Sequence, residues 1–235
     1  MSDSSWQRAD VALAFLEERR RAVPYGADQI RIMLDVVRFF RPEPACFLDL
    51  GCGDGILSRA LLDLMPESRA VLIDLSEPML ARAREAMAPY GERVRIVKAD
   101  LCEPIYPFAP PGGVDLVVSA YAIHHLPHPR KETLYQEIYT LLSPGGLFVN
   151  LEHVASPTEE LERLFEERYI DHLTESRGLP REEVARSFRE RPDRADNILE
   201  RVETQVQWLR EIGFEHADCY FKWLELAVFG GVKPA

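Results

Sequence analysis

Cysteine is scarce in this chain. The four present, Cys46, Cys52, Cys102 and Cys219, have spacings that suit neither a disulfide framework nor a set of metal ligands. They read as small reduced side chains, the usage expected of a cytoplasmic protein. Also missing is any apolar run approaching the roughly 18 residues that a membrane-spanning helix needs. The start, Met1-Ser2-Asp3-Ser4-Ser5, lacks the basic-then-apolar pattern of a secretory signal. Positive charge is in deficit, with 28 Lys and Arg against 39 Asp and Glu and a net charge of −11. Phosphate neutralisation supplies most non-specific affinity for nucleic acid, so this balance argues against a large RNA or DNA partner and for a small-molecule one. His124, His125 and His128 are close in sequence, but adjacent histidines point in different directions and no second cluster has zinc-like spacing. No metal is expected.

What is present is an alternation. At 235 residues the chain suits one well-buried α/β domain, as a monomer or a homodimer, and leaves little for a second core. Helical patterns cover residues 5–20 and then Ile30, Met33, Leu34, Val37 and Phe40, with Asp28 as the expected cap. These make residues 1–44 an N-terminal helical segment. Strands are expected at about 45–50, 70–74, 93–98, 114–120 and 146–153, with helices at about 55–65, 77–88 and 131–142. Such a rhythm implies a parallel, Rossmann-like sheet with helices on both faces and a ligand outside the carboxyl ends of its strands. Residues 155–201, with 13 acidic and 9 basic side chains and no strand-like run, read as an inserted helical lid or as a solvated charged face. A helix through Val202, Val206, Leu209 and Ile212 and a closing antiparallel hairpin finish the chain.

The informative stretch is Cys46-Phe47-Leu48-Asp49-Leu50-Gly51-Cys52-Gly53-Asp54-Gly55. A buried strand stops at a turn whose glycines let something approach the backbone. A pyrophosphate would be repelled by Asp49 and Asp54, whereas an ammonium would be attracted. The spacing is also not the G-x-G-x-x-G of dinucleotide sites. About 20 residues on, Val71-Leu72-Ile73-Asp74 ends a second strand in an acid suited to ribose hydroxyls. Val94-Arg95-Ile96-Val97-Lys98-Ala99-Asp100-Leu101 then ends a third in the same way.

These residues resemble motif I and its sequels in the class I S-adenosylmethionine (SAM) methyltransferases. The resemblance implies a seven-stranded sheet of order 3-2-1-4-5-7-6, SAM as cofactor and S-adenosylhomocysteine as product. It implies that Asp49, Gly51, Cys52 and Gly53 seat the methionine part, and that Asp74 holds the ribose. Leu75, Met79, Asp100 and Leu101 would then surround the adenine, with Ser119 at the end of the fourth strand also near the cofactor. The chain is further similar to the subgroup containing bacterial carboxy-S-adenosylmethionine synthase, an enzyme of wobble-uridine modification in tRNA. The similarity lies in Val23-Pro24-Tyr25, which implies that Tyr25 reaches the methionine end, and in the run from Val202 to His216. It departs from that subgroup where Gly-Cys-Gly-Asp-Gly replaces Gly-Cys-Ser-Leu-Gly and where Trp208 stands for an arginine. An extra carboxylate on the cofactor needs a cationic partner, and Trp cannot be one.

The loop after the fourth strand faces the methyl group in this family, which implies that Tyr121 and His124 line the reaction centre. A histidine there could take a proton from a hydroxyl or amine, or simply pack. Glu152, at the end of the fifth strand, is expected at the same edge, orienting an acceptor or capping the lid. Tyr169, Trp208 and Trp223 are candidate acceptor-pocket walls. The fourth strand ends in Ser-Ala-Tyr-Ala, lacking the Asn/Asp-Pro-Pro-Tyr of base-amine methylases, and no Pro-Cys pair offers a nucleophile for C5 methylation. The expected activity is methylation of a small molecule. The alternatives are a carboxy-SAM-synthase-like enzyme or a SAM-binding module without catalysis; an NAD-dependent oxidoreductase is disfavoured by the glycine spacing.

Overall fold

The computed structural model describes residues 23–235; the helix expected over residues 5–20 lies outside them. The first described helix, α1 (Gly26–Phe40), starts after Tyr25, whose φ of 55° is left-handed. Asp28 does not cap it. Gly26 N–H bonds to Val23 O and the Pro24 turn starts the helix earlier, so Asp28 falls in the first turn beside Arg31, at 3.2 Å. Gln29, Met33 and Val37, each four residues apart, form the buried stripe.

The chain then alternates as β1 (Cys46–Leu50), α2 (Ile56–Leu64), β2 (Arg69–Asp74), α3 (Glu77–Met87), β3 (Val94–Lys98), β4 (Val114–Ala120), α4 (His128–Leu141) and β5 (Leu142–His153). Helices α5 (Glu159–Arg177) and α6 (Arg181–Glu190) follow, then α7 (Val202–Ile212), β6 (Glu215–Trp223) and β7 (Leu226–Val232). The seven strands form one sheet of order β3-β2-β1-β4-β5-β7-β6, as expected. The first five run parallel and the terminal hairpin joins antiparallel to β5. Crossover helices allow only parallel neighbours for β1–β5, whereas a short hairpin forces β6 and β7 antiparallel. In β1, Phe47 to Leu50 are all buried, as in a central strand covered on both faces. Alternate residues feed two cores: Leu48, Leu50, Tyr135, Phe148 and Leu209 on one face, Phe47, Leu61, Leu72, Val118 and Met33 on the other. In β7, Gly230 lies so close to β5 that a Cβ would sit 2.0 Å from the Phe148 carbonyl oxygen.

Strand β5 begins at Leu142, earlier than expected. Leu142 pairs with Val114, and a register shift before Leu116 absorbs Ser143-Pro144-Gly145 as an irregularity within the strand. Helices α5 and α6 pack on each other through Ile170, Leu173, Val184, Ala185 and Phe188. The Arg181 and Arg189 ion pairs around them are solvent-facing and contribute little to stability. Among the described residues no helix is long and apolar enough to cross a membrane.

One ionic knot holds the loop after β3 against α4. Arg130 forks onto Glu137 at 2.6 and 3.1 Å, and donates to the carbonyls of Leu101 and Glu103 at 2.7 and 2.8 Å. The other face of Glu137 accepts Ile105 N–H at 3.0 Å. Breaking such a pair strands a buried carboxylate, so Arg130→Met is expected to destabilise by about 3 kcal/mol in denaturant unfolding. Arg130→Met with Glu137→Leu should recover part of that loss.

Candidate active site at the carboxyl edge of the sheet

Strands β1, β2, β3 and β4 all end at one rim of a cavity of about 480 Å³. The turn after β1 fixes its floor. Gly51 (φ 69°) and Cys52 both donate to Ile73 O, at 2.8 and 2.9 Å. A Cβ on Gly51 would lie 2.1 Å from that of Ala122, so the turn tolerates no side chain where it meets the loop after β4. Gly53 N–H donates to Asp74 Oδ2 at 2.8 Å, and Ser76 N–H to Asp74 Oδ1 at 2.8 Å. The acid at the end of β2 is thereby bonded to the Gly-rich turn of β1, 21 residues away. Each of its oxygens keeps a lone pair for a further donor.

Asp49 is buried on the wall. Ser58 Oγ donates to its Oδ2 at 2.6 Å, and its Oδ1 has no hydrogen-bond partner. Burial, with a smaller contribution from the charge of Asp74, pushes the Asp49 carboxyl up to about 7. Asp74 is raised in the same direction by burial, against the backbone N–H groups that favour its charge. Burial and these two carboxylates hold the Cys52 thiol protonated. Asp100 accepts Cys102 N–H at 2.8 Å. Leu75, Met79 and Leu101 complete this end of the lining.

Of the residues singled out in the sequence, Asp49, Gly51, Cys52, Gly53, Asp74, Leu75, Met79, Asp100, Leu101 and Tyr121 line the cavity. Ser119 does not: it is buried, and its hydroxyl donates to Leu50 O at 2.7 Å, tying β4 to β1. Tyr25 does not line it either. It is half exposed and stacks on Trp223 and Phe221, with centroids 5.4 and 6.3 Å away, because its left-handed backbone turns the ring outward at the helix start. In its place Gln29 faces the cavity. Gln29 accepts the Tyr121 hydroxyl at 2.6 Å and donates to Pro24 O at 3.0 Å. A glutamine on the apolar stripe of α1 was the signal available in the sequence. Tyr121 itself sits at φ 53°, and burial raises its hydroxyl, keeping the phenol neutral.

His124 is buried in the turn after β4, off the large cavity, where His125 is presented instead. Its Nδ1 lies 2.6 Å from Glu152 Oε1. Glu152, expected at the cleft edge, is fully buried behind that imidazole, because β5 runs through the sheet's centre and carries it inside. It accepts from Asn150 Nδ2 at 3.1 Å and His153 N at 3.0 Å, and burial pushes it up to about 7. Burial lowers the basicity of both histidines, His125 to about 3. Tyr169 joins His124 around a second, smaller cavity against α5 and α6. Trp223 packs between Tyr25 and Phe165. Trp208 faces a groove between α4 and α7, beside Tyr135, away from both cavities; the helical period that buries Leu209 turns it there. Among the described residues no group of three or more His, Cys, Asp or Glu could hold a metal ion.

Residues 47–146 match a family model described as a methyltransferase domain. The chain is 29% identical over 233 residues to the carboxy-S-adenosyl-L-methionine synthase of Chromohalobacter salexigens, covering 96% of this chain and 82% of the relative. It is 23% identical to that of Nautilia profundicola, covering 95% and 92%. Among solved structures it resembles the S-adenosylmethionine-dependent methyltransferase SibL in its apo form, with TM-score 0.60, 25% identity and 92% of this chain covered. The chain spans 61% of that longer protein.

The raised Asp49 carboxyl has a consequence for stability. The folded state binds its proton up to about pH 7, while the unfolded chain releases it near 4. Folding therefore loses free energy as pH rises between those values and levels off above them. Asp49→Asn is expected to flatten that part of the curve and raise the melting temperature of the ligand-free protein at pH 8, as read by calorimetry from pH 4.5 to 8.

Proposed function

From a chain that carries a class I SAM-dependent methyltransferase domain, we propose transfer of the SAM methyl group to a small-molecule acceptor, the whole chain acting as one domain with a helical lid. The observation that carries this reading is the buried Asp49 Oδ1, an acceptor with no partner, on the wall of a cavity that also presents Asp74 and Asp100. The residues fit the cofactor. Asp49 takes the ammonium, Asp74 the ribose hydroxyls through its free lone pairs, and Asp100 the adenine amine between Leu101 and Met79. The cofactor supplies an activated methyl group on a sulfonium. The protein's part is to hold the acceptor in line behind that carbon and to exclude water, the roles this reading gives to Tyr121 and the lid.

Among the described residues that line the cavity there is no Lys or Arg. A dinucleotide pyrophosphate, or a cofactor with an added carboxylate, would meet four aspartates with no cationic partner. That favours plain SAM over the chemistry for which the synthase relatives are named.

Asp74→Ala is expected to weaken SAM binding tenfold or more, about 1.4 kcal/mol; unchanged affinity by calorimetry would refute the ribose assignment. SAM affinity should also fall as pH drops through about 7, because protonation removes the Asp49 charge that faces the ammonium. Turnover of methyl-labelled SAM with a pool of small metabolites tests the activity itself, since a binding module leaves no labelled product.

A further inference from the structure

The groove between α4 and α7 has a volume of about 410 Å³, within the range of small-ligand sites. Its lining shares no residue with either cavity at the carboxyl edge of the sheet. The two helices are tied together beneath it, where the buried Tyr135 hydroxyl donates to Gln205 Oε1 at 2.6 Å. The groove is therefore shaped before any ligand arrives. Helical periodicity sets its walls: Glu132, Gln136 and Tyr139 share one face of α4, and Trp208, Glu211 and Ile212 one face of α7.

Trp208 is the main apolar surface. Its ring is half-buried, with its centroid 6.5 Å from that of Tyr135. Lys233 Nζ already lies over the Tyr139 ring at 5.1 Å, held by Leu142 O at 2.7 Å. That leaves Trp208 as the π face for a ligand. Charge along the walls is of one sign. Glu132 and Glu211 are exposed, and among the described residues neither is paired with a lysine or arginine. Glu211 accepts from Gln207 Nε2 at 2.9 Å.

The two carboxylates stand at opposite ends. A Cβ on Gly213, which closes α7, would be 3.1 Å from the Tyr139 hydroxyl, so Glu211 belongs to the Tyr139 end. The carbonyl end of α7 adds partial negative charge there. Glu132 lies about two turns before Tyr139 on α4, roughly 10 Å along the axis. This field repels an anion. A wholly apolar molecule would strip water from both acids and give them no partner. A single ammonium would serve one end only.

We propose that the α4–α7 groove binds a linear polyamine, with a terminal ammonium at each of Glu132 and Glu211 and the methylene chain between them lying on Trp208. A protonated amine beside that indole gains a cation–π contribution. Gln136 Oε1 is an acceptor for an N–H in the middle of the chain. The site is separate from the cofactor rim, and the proposal does not rest on the methyltransferase reading.

A net charge of −11 also draws polyamines diffusely, so the experiment has to separate a site from a charged surface. The full chain is titrated with spermidine by calorimetry and by tryptophan fluorescence at physiological ionic strength. Butylamine serves as the single-charge probe. Spermidine should bind one per chain and shift the fluorescence, and butylamine should bind at least tenfold more weakly. Glu132→Gln combined with Glu211→Gln should weaken spermidine at least tenfold without moving the melting temperature, both side chains being exposed. Trp208→Leu should weaken it at least threefold and remove the fluorescence shift. Glu182→Gln combined with Glu183→Gln, exposed on α6, should change the affinity less than twofold. No spermidine binding up to about 10 mM, equal losses from the two double variants, or butylamine matching spermidine would overturn the proposal. A lysine-rich peptide that occupies the groove more tightly than spermidine would overturn it in favour of a protein partner.

Discussion

The hydrogen bond from Gly53 N–H to the Asp74 carboxylate is the contact on which the rim depends. It locks the turn after β1 to the end of β2, with Gly51 and Cys52 bonding to the Ile73 carbonyl alongside. The turn closes without a side chain because Ala122 occupies the space a Cβ would need. Loosening that joint would move three strand ends relative to one another. The carboxylates of Asp49, Asp74 and Asp100 would then no longer share one cavity.

Burial works against carboxylate charge at this rim and behind it. Asp49, Asp74 and Glu152 are all pushed toward the protonated form by burial. A carboxylate kept dry, with one oxygen unpartnered, is destabilised in its charged form. Glu152 differs from Asp49 in that its donors are supplied by the protein itself. Asp49 keeps one oxygen unpartnered, whereas Glu152 holds an imidazole.

Helices α5 and α6 carry a small core of their own, and the segment after them is stitched to the turn after β4. Ile198 N–H bonds to His124 O at 2.9 Å, and Lys131 Nζ donates to both Leu126 O and Ile198 O. The segment that follows α6 therefore holds the turn that carries His124.

The sequence by itself determined the alternation of strands and helices, the order of the sheet through the resemblance it carried, and the acids that end β1, β2 and β3. These are local properties: a run of apolar residues, a glycine turn and a terminal carboxylate are contiguous in the chain, and the parallel topology carries them to one edge. What the tertiary structure decided was direction. Ser119 turned into a strand-to-strand bond, Tyr25 turned out to solvent, Trp208 faced α4, and Glu152 withdrew behind His124. Gln29 came in from a helix 92 residues before Tyr121 in the chain. Which way a side chain points at the end of an element depends on backbone angles and on partners distant in sequence. Those are set only when the whole sheet and the helices around it have packed.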